Sequence, residues 1–98
     1  MVVVRGRSME PTLREGDVLL VRWAGRPAPG RLAVVRLPGD RPLAVKRLTH
    51  RDADGWWVER DNPREGVDSW QVGAVPDVDV LGIVVHRLAR ARPRRRGA

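Results

Sequence analysis

The chain of 98 residues has no cysteine. No disulfide framework can staple it, and no thiolate is available for nucleophilic chemistry. A cysteine-free chain suits a reducing compartment, and a cytoplasmic location is expected. Long apolar runs are missing too. The longest, at 18–21 and 80–85, fall far short of the roughly 18 apolar residues a spanning helix needs. Met1-Val2-Val3-Val4 is too short for the apolar centre of a secretory signal and is followed at once by Arg5 and Arg7. The chain is therefore expected to lack a transmembrane anchor. Acidic residues are absent from 87–98, which holds six arginines. The net charge of +7 arises mainly there, since without that stretch 13 basic residues face 12 acidic ones. The expected division is a nearly neutral domain at 1–86 and an Arg-rich, disordered tail at 87–98. An anionic surface or nucleic acid is the partner such a tail would meet if it were functional. With the charge confined to the tail, no nucleic-acid partner is expected.

Lysine is almost missing as well. Eighteen of the 19 basic residues are arginine, and the exception is Lys46. Serine occurs only at Ser8 and Ser69, and histidine only at His50 and His86. Nucleophile and base must come from this short roster.

What is present reads as one small globular domain, with 42% of residues apolar. The pattern is mostly β, and strands are expected at 2–5, 18–23, 32–37, 43–50, 56–60 and 80–88. Residues 6–17 read as a loop with one helical turn from Pro11. Residues 25–30 and Pro38-Gly39-Asp40 read as turns. Asp54-Gly55 marks a hairpin within 51–55, residues 61–73 read as a polar loop, and Gly82 marks a bulge or bend. A hairpin turn centred on Ala53-Asp54 would set Lys46 opposite Asp61, within about a residue of register.

Ser8 sits between a strand and a proline-fixed turn, where a hydroxyl can be presented at a rigid edge. It needs a base to become a nucleophile. Lys46 can be that base only if burial lowers its pKa from about 10.4. Arginine cannot replace it, because the guanidinium stays protonated. Read locally, Ser8 also fits a turn or cap serine, and one lysine in an arginine-biased chain also fits chance. His50, four residues along the same strand, is a rival base for a Ser/His/Asp arrangement, whereas His86 reads as structural. The acid-rich segment 59–70 lacks a patterned calcium loop and histidine ligands, so neither a metal nor another cofactor is expected.

Taken in order, these segments resemble the type I signal peptidase family of serine proteases, which uses a Ser/Lys dyad. Ser8-Met9-Glu10-Pro11-Thr12-Leu13 is similar to its nucleophile box. Gly16-Asp17-Val18-Leu19-Leu20-Val21 is similar to its second box, Val45-Lys46-Arg47-Leu48 to its lysine box, and Asp61-Asn62 with Val67-Asp68-Ser69 to its last box. Gly73-Ala74-Val75-Pro76 matches the stretch that follows. The resemblance implies a single compact, mostly β domain of the signal peptidase/LexA type with little helix. It implies Ser8 as nucleophile, Lys46 as general base, the Ser8 backbone N–H at the oxyanion and Met9 near the substrate pocket. Asp61, Asn62, Asp68 and Ser69 would support the site. Departures are Gly6, where some relatives carry an oxyanion-hole hydroxyl, Gly66 in place of a serine that bonds the lysine, Arg60 in place of Gly, and Trp70 in place of the arginine that partners Asp68; Arg60 and Arg64 are the substitutes at hand. The implied partner is a precursor protein whose N-terminal leader is removed. The branch most like this chain is the maturation protease of nickel-type superoxide dismutase. Cleavage of signal peptides at a membrane surface and a catalytically inactive binding module on the same fold are the alternatives. Self-cleaving repressors of the LexA family share the dyad but add a DNA-binding domain and a cleavable linker, which this chain is expected to lack.

Overall fold

The computed structural model describes residues 1–39 and 41–90. The strands are β1 (Val2–Val3), β2 (Val18–Trp23), β3 (Leu32–Arg36), β4 (Leu43–Asp52), β5 (Gly55–Glu59) and β6 (Val80–Ala89). They form one antiparallel sheet in the order β1-β2-β6-β3-β4-β5. The fold is thus mostly antiparallel β.

The strands form where branched residues cluster, and their burial explains the pattern. In β2, Leu19 and Val21 are buried while Leu20 and Arg22 are exposed, the alternation of a strand with one wet face. In β3, Ala33, Val34 and Val35 are all buried. Ala33 and Val35 join one apolar cluster, with Leu37, Leu48, Trp56, Val58, Val75 and Ile83. Val34 joins another, with Val4, Met9, Leu13, Leu19 and Val21. The sheet therefore has a core on each face of β3, and a continuous apolar run is what such a strand requires.

The sheet is also curled. Between β1 and β4 lie three strands, so a flat sheet would hold them about 19 Å apart at roughly 4.8 Å per strand. Residues of both nevertheless line one cleft. The register shift beside Gly82, between Val34 and Val35, is one place where the curvature is introduced.

Three expectations change. First, the stretch 61–73 is not all loop: α1 (Ser69–Val72) forms one helical turn. Asp68 caps it and Gln71 bonds back to the cap, a capping box visible in Asp68-Ser69-Trp70-Gln71. A 3-10 turn also follows Pro76 at Asp77–Asp79. Second, the turn expected from Pro11 begins earlier, with Leu13 N–H donating to the Met9 carbonyl at 2.9 Å. Third, the tail does not begin at Arg87. β6 runs through Ala89, and the Arg87 guanidinium donates to the Thr12 carbonyl at 3.3 Å and lies 3.8 Å from the buried Asp17 carboxylate. Pairing with β2 holds this end of the strand, so Arg87-Leu88-Ala89 belongs to the sheet. The expectations for Asp40 and for residues 91–98 of the tail lie outside the described residues.

The hairpin from β4 to β5 depends on Gly55. Its φ is +126°, and a Cβ there would lie 2.1 Å from the Val75 carbonyl oxygen, where Trp56 and Val75 pair across a short bridge. Gly55→Ala is expected to cost roughly 3 kcal/mol, the upper part of the usual single-mutant range. Urea denaturation measures it, and a loss below about 1 kcal/mol would show that the bridge gives way freely.

Candidate active site

Strand alternation sets Ala44, Lys46 and Leu48 on one face of β4. Leu48 is in the core and Ala44 packs against it, so the lysine stem enters apolar surroundings. Lys46 is only 3% exposed, and its Nζ donates to Ser8 Oγ at 2.8 Å. The amine is held below its ordinary pKa, chiefly by desolvation; the nearby Asp68 carboxylate works against this and the Arg60 cation reinforces it.

Ser8 reaches that position because its turn is pinned from both sides. Asn62 N–H donates to the Ser8 carbonyl at 2.8 Å, and Asn62 Nδ2 donates to the Arg7 carbonyl at 2.9 Å. Met9, 2% exposed, anchors the turn in the second core cluster, and Asp61 N–H points at its sulfur at 3.4 Å. Asp61 is the joint between turn and sheet. It accepts from Thr12 Oγ1 at 2.5 Å and, with both oxygens, from Arg47 Nε and Nη2 at 2.9 and 2.7 Å. The hydrogen bonds from Arg47 hold its carboxyl below the usual range despite partial burial.

The third segment, 60–69, closes over Ser8 and Lys46. Gly66 has φ +77°, and a Cβ there would lie 2.8 Å from Ser8 Cβ and 3.6 Å from Lys46 Nζ. A side chain at 66 would therefore collide with the Ser8 Cβ. Asp68 Oδ1 accepts from Trp70 N–H at 3.0 Å and Oδ2 from Arg60 N–H at 3.1 Å, while the Arg60 Nε lies 3.8 Å from Oδ2. Ser69 Oγ, buried, accepts from Val58 N–H at 2.8 Å and ties the loop to β5.

The expected pairing of Lys46 with Asp61 is not what forms. A bulge at Thr49 shifts the β4–β5 register by one, so that Arg47 faces Glu59 and its side chain takes Asp61. The carboxylate acting on Lys46 is instead Asp68. The bulge also ends the regular alternation, and His50 turns outward to stack on Trp57, with ring centroids 5.9 Å apart. It is not the residue that meets Ser8. His86 is exposed on β6. Among the described residues no group of three acidic or histidine side chains is arranged to hold a metal ion. Every buried side-chain nitrogen and oxygen among them has a hydrogen-bond partner. Arg47 and Thr12 are the supporting residues that sequence reasoning missed; the register shift brings Arg47 near Asp61, and Thr12 reaches it from the loop ahead of β2.

Beside Ser8 runs an apolar cleft of about 400 Å³, lined among others by Val3, Gly6, Met9, Trp23, Leu43 and Val45. A family model described as Peptidase S24-like matches residues 1–85. The chain belongs to the Peptidase S24-like family. No curated protein and no solved structure matches it. Membership points to chemistry of the serine-peptidase type. No helix of this S24-like chain, among the described residues, is long and apolar enough to cross a membrane.

A buried amine has a consequence for stability. Between the lowered native pKa of Lys46 and about 10.4, the unfolded chain binds a proton that the native state does not, so stability rises with pH across that window. Below it the native state carries a desolvated ammonium. Lys46→Met keeps the volume and removes that cost. It is expected to stabilise the S24-like domain at pH 7 by roughly 0.5–2 kcal/mol, with a gain that shrinks as pH rises from the lowered native pKa and is gone by about pH 10.4. Thermal melts of both proteins across pH test this, and a less stable variant at pH 7 would contradict it.

Proposed function

We propose that this protein is a Ser/Lys endopeptidase, and the observation that carries the reading is the 2.8 Å contact between Ser8 Oγ and the chain's lone, buried lysine. Neutral Lys46 accepts the Ser8 hydroxyl proton while Oγ bonds to the scissile carbonyl carbon. The carbonyl oxygen becomes an oxyanion, and the Ser8 backbone N–H serves as its donor. Collapse of that intermediate breaks the C–N bond, and the Lys46 ammonium passes its proton to the departing amine. A water, deprotonated by the same amine, then hydrolyses the acyl ester and regenerates Ser8. Asp61, Asn62, Asp68 and Ser69 act as supports rather than reactants.

The substrate is an extended peptide segment. Residues 43–45 of β4 pair with β3 on one side only, because pairing with β5 begins at Arg47. β1 pairs with β2 alone. These two open edges flank the apolar cleft beside Ser8, and a strand laid between them would find backbone partners along the edges and an apolar surface below. Met9 lines that cleft, in keeping with a place in the side-chain pocket next to the cut. In biological terms the reading is removal of a leader from a cytoplasmic precursor. The precursor of a nickel-type superoxide dismutase is the first substrate to try, on the strength of the small size and arginine-rich composition.

Co-expression with that precursor, followed by mass measurement of its new N-terminus, tests the reading. Ser8→Ala and Lys46→Arg are each expected to lower the cleavage rate by about 10²–10⁴-fold, the usual worth of a nucleophile or base. Arg retains the charge but cannot accept the proton. Cleavage by the wild type is expected to rise with pH through the lowered Lys46 pKa and then level off. Wild-type rates from Lys46→Arg would sink the mechanism.

A further inference from the structure

Arg60 is the feature of this site that composition and fold leave unexplained. It follows β5 in an acid-rich loop, and its side chain is only 18% exposed. Its backbone N–H donates to Asp68 Oδ2 at 3.1 Å, its Nε lies 3.8 Å from the same oxygen, and its Nη1 donates to the Gly66 carbonyl. Gly66 is the residue pressed against Ser8, and Asp68 is the carboxylate that acts on Lys46. Arg64, the other candidate partner for Asp68, is exposed and donates its N–H to Asn62 Oδ1 instead.

We infer that Arg60 is the positioning residue of this site: one guanidinium engages Asp68 and the Gly66 carbonyl together, and so sets both the charge and the loop that face Lys46 and Ser8. The inference rests on the Ser/Lys reading above for its catalytic meaning, but its electrostatic content stands by itself.

Arg60 acts in two ways. The first is electrostatic. Asp68 is 5% exposed at its side chain, and a buried carboxylate without a countercharge would favour the ammonium form of Lys46. A permanent cation beside that carboxylate neutralises its field and adds its own repulsion on the amine. Asp68 and Arg60 are the two charged groups that act on Lys46; on its own strand, the charge of Arg47 is matched by Asp61. The second is mechanical. The bond to the Gly66 carbonyl fixes the one backbone segment whose closeness to Ser8 admits no side chain.

Because Lys46 is the chain's only lysine, it can be read directly. Full-length protein labelled with ¹³C-lysine gives one side-chain CεH₂ signal, whose pH titration reports Lys46 without any substrate. Arg60→Gln keeps a donor for the Gly66 carbonyl but removes the charge. In that variant Lys46 is expected to titrate at higher pH than in the wild type. The cleavage profile is expected to move the same way, recovering in alkali. At neutral pH the rate is expected to fall about tenfold for each pH unit by which the Lys46 midpoint rises. Arg60→Lys is expected to leave the Lys46 signal near its wild-type position, beside a second resonance in the ordinary lysine range. Asp68→Asn, which keeps a capping side chain, is expected to move Lys46 downward. A folded Arg60→Gln protein whose Lys46 titrates as in the wild type would overturn the inference, as would a downward movement. If no variant, nor the wild type, cleaves any precursor while the titration still moves, the Ser/Lys reading fails and the assignment of Arg60 stands.

Discussion

An amine can leave water only where something replaces the hydration it gives up, and here Ser8 Oγ takes that place for Lys46. Much of the domain is arranged around this contact. The lysine stem lies against the core beneath β4, which sets the desolvation. The amine head meets a turn that is not part of any strand and must be held from outside the sheet. Asn62 and Met9 hold that turn, Asp61 joins it to Arg47, and Gly66 covers it without a side chain to interfere. The loop at 60–69 supplies Asp61, Asn62 and Gly66, with Asp61 tied to β4 through Arg47, while Met9 fixes the turn from the core side.

Charge is distributed with the same economy. Two acidic residues from one loop flank the site, and each is matched to its own arginine: Asp61 to Arg47 across the β4–β5 ladder, Asp68 to Arg60 within the loop. Guanidinium suits these duties because it keeps its charge and offers several donors in one plane. The amine whose proton is loosened by burial belongs to the chain's one lysine. The composition of 18 arginines and one lysine thus reads as a division of labour between fixed and labile charge.

Curvature shapes the cleft beside Ser8. A sheet with β1 and β5 at its margins has open edges, which are ordinarily a liability. Curling brings the edge at β1 toward the start of β4, which is open on its β5 side, and the gap between them becomes a cleft beside Ser8. The half-exposed Trp23 and Leu43 on its lining are apolar surface left open where a peptide would lie.

Much of this was legible in the linear chain. Branched residues marked the strands, Asp54-Gly55 marked the hairpin, and the scarcity of serine and lysine left a short roster from which the order of the boxes singled out Ser8 and Lys46. The capping box at Asp68–Gln71 was there to be read, although a polar loop obscured it. Residue type by itself determined what chemistry is possible: one lysine able to become a neutral amine, one serine ahead of a proline turn, no thiol. Which groups meet was decided only by the tertiary structure. The bulge at Thr49, the arrival of Arg47 at Asp61, the pairing of Arg60 with Asp68 and the approach of Gly66 to Ser8 all depend on segments brought together by folding. Such contacts follow from how a curled sheet closes its loops against two cores, and local propensity carries no record of that packing.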